Sequence, residues 1–110
     1  MDKSTALEAL SALSHETRLD VFRLLVKAGQ EGLPAGEIAE AQNGVQNTMS
    51  THLAILARAE LIKKQRIGRV IKYSANYQSM RSLMLYVLED CCGGDTRICA
   101  PIAEALACNC

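Results

Sequence analysis

Apolar side chains recur at helical spacing along most of this chain, and the places where that rhythm fails mark its turns. Leu7, Leu10 and Leu13 predict a first helix, with Thr5 and Glu8 spaced as a capping box at its start. Ser14 can cap a second helix, and His15 and Glu16 also read as capping residues, the acid suiting the positive end of the dipole. Leu19, Phe22, Leu25 and Val26 form its expected inward stripe, which Gly29 and Gly32 end. Pro34 suits the first turn of a short third helix with Ile38 and Ala39 inward, closed by Asn43-Gly44.

A fourth helix is expected over about residues 46–60. Its wheel puts Met49, Leu53 and Leu56 on one face and Asn47, Thr51, Ala54 and Arg58 on the other, flanked by Thr48 and Ser50. That polar face has no carboxylate, which is unusual for a surface that meets only water. The helical signal then lapses. Ile62-Lys63-Lys64-Gln65-Arg66-Ile67, Gly68-Arg69 and Val70-Ile71-Lys72-Tyr73 read as a β-hairpin around a glycine turn. A fifth helix from about residue 78 stacks Met80, Leu83, Met84, Val87, Leu88 and Cys91 in one stripe, stopped by Gly93-Gly94. That stripe reads as a packing face for a dimer or a second domain. The tail is rich in Ala and Cys, with room for one short helix after Pro101. The expected fold is mainly α with a small β-hairpin. Residues 1–92 form the expected working domain and residues 93–110 a Cys-rich tail.

Composition narrows the class. A chain of 110 residues has room for one core, and a marginal one that dimerisation would help. With 49% apolar and 22% charged residues it reads as globular rather than disordered. No apolar run is long enough for a membrane span, and the start Met1-Asp2-Lys3 shows no signal peptide, so a cytoplasmic location is expected. Twelve basic and twelve acidic residues give zero net charge, which at face value argues against a nucleic-acid partner. The sum hides a segregation. Residues 1–42 carry −3, residues 43–88 carry +6 and residues 89–110 carry −3. The basic middle segment marks a polyanion binder.

Two short helices joined by a tight turn, the second with a polar uncharged face, suggest a helix-turn-helix. Such a helix can enter the major groove of duplex DNA, where Asn, Gln, Ser and Thr match base edges. The basic hairpin that follows would be a wing gripping phosphates. Candidate DNA contacts are therefore Gln46, Asn47, Thr48, Ser50, Thr51, His52 and Arg58 on the helix, with Lys63, Lys64, Arg66, Arg69 and Lys72 on the wing. His52 lies toward the apolar side of its wheel, so it reads equally as a base reader and as a structural residue.

Three separated motifs carry a family resemblance. Residues 46–56, Gln-Asn-Thr-Met-Ser-Thr-His-Leu-Ala-Ile-Leu, resemble the recognition-helix signature of the ArsR/SmtB repressors. Residues 10–19, with Thr17-Arg18-Leu19, resemble that family's opening stretch, and Arg66-x-Gly68-Arg69-x-x-x-Tyr73 resembles its wing. The likeness spans about residues 5–90. It implies a homodimeric winged helix-turn-helix repressor, not an enzyme, that releases operator DNA on binding a toxic metal or metalloid.

All five cysteines fall in the last twenty residues: Cys91, Cys92, Cys99, Cys108 and Cys110. A reducing compartment disfavours structural disulfides, leaving metal binding or redox sensing. There is no Cys-x-x-Cys, and no His follows His52, so zinc ribbons and imidazole-rich zinc sites are poorly supported. Clustered thiolates suit soft ions, and trivalent arsenic or antimony fits, needing only three sulfurs. Cys91, Cys92 and Cys99 are the favoured ligands, with the glycine pair letting the chain fold back. The arrangement resembles arsenic-responsive family members with thiols near the C-terminal dimerisation helix. It departs from those with Cys-Val-Cys before the recognition helix, because residues 33–42 contain no Cys. Cys108 and Cys110 are left open between a second soft site, a transfer role and none. The reading is thus an As(III)-responsive repressor, with Sb(III) also fitting, no organic cofactor, and duplex operator DNA and a second copy as partners. A redox- or persulfide-sensing repressor is the alternative, and a thiol enzyme or metal-sequestering protein is a weaker third.

Overall fold

Asp2, rather than Thr5, starts the first helix. In the computed structural model, which describes residues 1–44, 46–89 and 96–107, α1 spans Lys3–Leu13. The Asp2 carboxylate accepts the Thr5 backbone N–H at 2.7 Å, and this bond holds the carboxyl below its usual range. The expected capping box therefore does not form. Ser14 closes α1, its N–H donating to the Ser11 carbonyl, and it does not open the next helix. That role falls to His15, whose Nδ1 accepts the Thr17 N–H at 3.2 Å ahead of α2, Glu16–Ala28.

The buried faces of both helices differ from the leucine pattern. In α1 the buried positions are Ala6, Ala9 and Ala12, while Leu7 and Leu10 are 56% and 45% exposed. Small side chains let α1 lie close against the helices it crosses, and the leucines point away. In α2, Leu19 is exposed, while Val21, Phe22 and Leu25 are buried and Val26 is half-buried. The true stripe runs 18, 21, 22, 25, with Arg18 in its first place. Its Nε donates to the Ala12 carbonyl at 2.6 Å, so the charge is carried at the core's edge by a bond to α1.

After Gly29 the chain forms a two-residue strand, β1 (Leu33–Pro34), which the hydropathy pattern does not reveal. Next come α3 (Ala35–Ala41), with Ile38 and Ala39 buried as expected, and α4 (Gln46–Arg58). The hairpin is β2 (Ile62–Ile67) and β3 (Val70–Ala75), joined at Gly68-Arg69 as expected. β1 pairs antiparallel with β3, Leu33 opposite Tyr73, giving the sheet order β1-β3-β2. Asn76 ties the sheet's end to α5, Tyr77–Leu88: its amide donates to Glu60 O at 2.9 Å and its side-chain oxygen caps Ser79 N–H. The core thus unites α1 to α5 and the base of the hairpin, with Leu25, Ile38, Leu53, Leu56 and Leu61 fully enclosed.

In α5 only Leu83 is fully buried, and Met84, Leu85 and Val87 face outward. A last helix, α6, spans Thr96–Ala107 with Pro101 inside it, rather than following that proline. Pro101 is its sixth residue, past the first turn, so it removes one N–H that the helix would otherwise bond. Among the described residues no helix is long and apolar enough to cross a membrane. The architecture is a winged helix-turn-helix, α3 and α4 being the helical pair and β2–β3 the wing.

Candidate nucleic-acid interface

Burial of Met49, Leu53 and Leu56 fixes the rotation of α4 and turns its other side outward. Asn47, Thr48, Ser50, Thr51 and Arg58 are all exposed, as the wheel predicts. The side chain of Gln46 lies outside the described residues. This face has donors and acceptors but no carboxylate, so nothing on it repels phosphate. Arg58, in the last turn, lies over a groove shared with Glu8 and Ser11 of α1, apart from the amides and hydroxyls of the first turns.

His52 is turned away from that face. It is half-buried, with its Nδ1 3.5 Å from Arg18 Nη1 and its ring centroid 4.6 Å from that of His15. Burial, then the neighbouring His15 and Arg18, hold its pKa below the usual histidine value. Of the two roles left open by the sequence, this setting favours a structural one.

The wing projects beyond the core. From Lys63 to Val70 every residue is exposed, and Lys72 is half-buried. Its register sorts the cations onto two faces. Lys64 and Arg66 share a side with Tyr73 and Ile71, while Lys63 lies on the other with Gln65 and its partner Lys72. Arg69 sits in the turn itself. Gly68, at φ +64°, takes the first turn position where a side chain would be strained. Arg66 bends back to donate from Nε to the Gly68 carbonyl at 3.1 Å, bracing the turn, whereas Arg69 has no partner among the described residues. The tip also exposes Ile67 and Val70, paired across the turn. Arg18 was not among the residues singled out from the sequence, although it stands in the Thr17-Arg18-Leu19 motif. An arginine in an otherwise apolar stripe was the available signal.

Of the proposed thiol ligands only Cys99 can be placed. It is half-buried on α6 and disulfide-bonded. Cys91, Cys92, Cys108 and Cys110 lie outside the described residues, as do Gly93 and Gly94. Among the described residues no cluster of three or more His, Cys, Asp or Glu side chains is present.

Comparison with known proteins agrees with this geometry. A helix-turn-helix domain family matches residues 13–65. The transcriptional repressor SdpR of Bacillus subtilis is 37% identical over 84 residues, covering 76% of this chain and 90% of SdpR. An ArsR-like transcriptional regulator from Rhodococcus superposes with a TM-score of 0.69 at 25% identity, covering 94% of this chain and 88% of its own. The homodimeric winged helix-turn-helix DNA-binding domain of a Mycobacterium bovis protein superposes with a TM-score of 0.64 at 23% identity, over 77% of each chain.

Proposed function

The chain belongs to the ArsR family of winged helix-turn-helix transcriptional regulators, and we propose that it is a metalloid-responsive repressor acting as a homodimer. The observation that carries the DNA-binding part is the exposed, acid-free face of α4 beside a basic wing. Asn47, Thr48, Ser50 and Thr51 read base edges in the major groove, and the wing cations hold phosphates and fix the register. Two copies related by a two-fold axis place two α4 helices in successive grooves, so the operator is roughly palindromic. The outward leucines of α1 and the apolar face of α5 supply the surface for that pairing.

Cys91, Cys92 and Cys99 capture trivalent arsenic or antimony in this reading. Three thiolates with no competing imidazole match the preference of a soft ion. Ligation ties the end of α5 to α6 and disfavours the spacing of recognition helices that the operator needs. Ligand and DNA then oppose each other through a coupling of about 1–3 kcal/mol, a several-fold to hundred-fold loss of DNA affinity.

The disulfide of Cys99 favours a second reading, in which the switch is oxidation. A peroxide takes two electrons from two thiols, which form the disulfide and release their protons, while the peroxide is reduced to water. One titration separates the readings. Operator-bound protein, fully reduced, is challenged with As(III), Sb(III), Cd(II) and Zn(II), and separately with hydrogen peroxide. Release by As(III) or Sb(III) that is lost in Cys91→Ser, Cys92→Ser and Cys99→Ser supports the metalloid sensor. Release by peroxide alone replaces it with the redox sensor.

A further inference from the structure

Arg18 links three helices through one guanidinium. Its Nε donates to the Ala12 carbonyl of α1, and its Nη1 lies 3.5 Å from Nδ1 of His52 on α4. A guanidinium only donates, so Nδ1 of His52 must present its lone pair and carry its ring proton on Nε2. His15 is constrained in the same way. Its Nδ1 accepts the Thr17 N–H as the cap of α2, and its ring packs 4.6 Å from that of His52. Each imidazole thus presents Nδ1 to a donor.

We infer that His15, Arg18 and His52 are a positioning cluster that seats the recognition helix against α2 only while the His52 imidazole is neutral, so that mild acid loosens specific operator binding. The inference rests on the DNA-binding reading above and adds a control to it. A proton on His52 would set an N–H against the Arg18 guanidinium. A cationic His52 ring would also be repelled by the Arg18 guanidinium beside it.

The charged groups acting on His52 are His15 and Arg18, both from the start of α2. From α1 the cluster receives a backbone carbonyl, and no carboxylate of α1, α3 or β2 among the described residues acts on the ring. Burial and the two neighbours depress the His52 pKa, so the unfolded chain takes up this proton more readily than the folded one. The stabilisation is therefore present above the ordinary histidine value of 6.5 and is lost as pH falls through the lower folded value.

The test uses the full chain, reduced, with a duplex enriched by in vitro selection at pH 7.5 and a scrambled duplex of equal length. Affinities at pH 7.5, 6.5 and 5.5 are normalised to each protein's own value at pH 7.5. The expected result is that the ratio of specific to scrambled affinity falls about threefold to tenfold between pH 7.5 and 5.5. In the double variant His15→Asn/His52→Gln, whose amides keep acceptors but do not titrate here, the change should stay within about twofold. Thermal unfolding provides a readout without DNA: the acid-induced drop in Tm should shrink in the same variant. A wild-type ratio that is flat or rises in acid overturns the inference, as does an equal fall in the double variant. Failure to enrich any duplex at pH 7.5 would instead overturn the DNA-binding reading itself.

Discussion

Gly32 holds a left-handed backbone, φ +69°, with the Tyr73 carbonyl packed where a Cβ would stand. Its two requirements, a positive φ and space against β3, are ones that no other residue meets without strain. Gly29, also at positive φ, has open space around it and only the first requirement. The contrast yields a prediction. Gly32→Ala should cost about 2–4 kcal/mol in urea unfolding, because β1 must separate from β3 to admit the methyl group. Gly29→Ala, strained by its backbone angles alone (φ +82°, ψ −170°), should cost less, about 1–2 kcal/mol. Equal losses would show that β1 is not anchored as described. The sequence marks both glycines as helix breakers and gives no sign of this difference, which depends on a strand forty residues later.

The helices show where periodicity works and where it misleads. For α4 the three apolar positions Met49, Leu53 and Leu56 are the buried ones, because that helix is enclosed on one side and bare on the other. The polar face and the hairpin were legible for the same reason. For α1 the rule that leucine goes inward fails, since Ala6, Ala9 and Ala12 make the close contact and leave Leu7 and Leu10 outside. Short strands such as β1 leave no periodic trace in two residues, and Arg18 was hidden because a charged residue does not register as part of an apolar stripe. The exposed leucines join Met84, Leu85 and Val87 of α5 in wanting a partner surface. Leu7→Ser/Leu10→Ser should therefore leave the circular dichroism of the folded chain nearly unchanged while shifting its sedimentation from dimer to monomer. If the variant unfolds instead, the leucines serve the chain's own core; if it stays dimeric, the pairing uses another face.

At the scale of the whole molecule, charge decides more than hydropathy. A chain with no net charge binds a polyanion only if its positive charges are gathered and its negative ones kept away, and residues 43–88 at +6 between two flanks of −3 do this. The cations of the wing are gathered in sequence but divided in space, Lys64 and Arg66 on one face and Lys63 and Lys72 on the other. A duplex is stiff over the length of a hairpin and can lie against only one of those faces. Each phosphate neutralised contributes about 0.9 to the slope of log affinity against log salt concentration. The two double variants, Lys64→Ala/Arg66→Ala and Lys63→Ala/Lys72→Ala, should consequently behave differently despite equal changes in charge. One should lower the slope by up to about 1.8, and the other should leave it nearly unchanged. Because Arg66 also braces the turn beside Gly68, Arg66→Gln alone serves as the control for a wing that has merely lost its shape. Equal, partial losses in both double variants would mean that the wing acts as a diffuse positive cloud rather than as a surface with a preferred side.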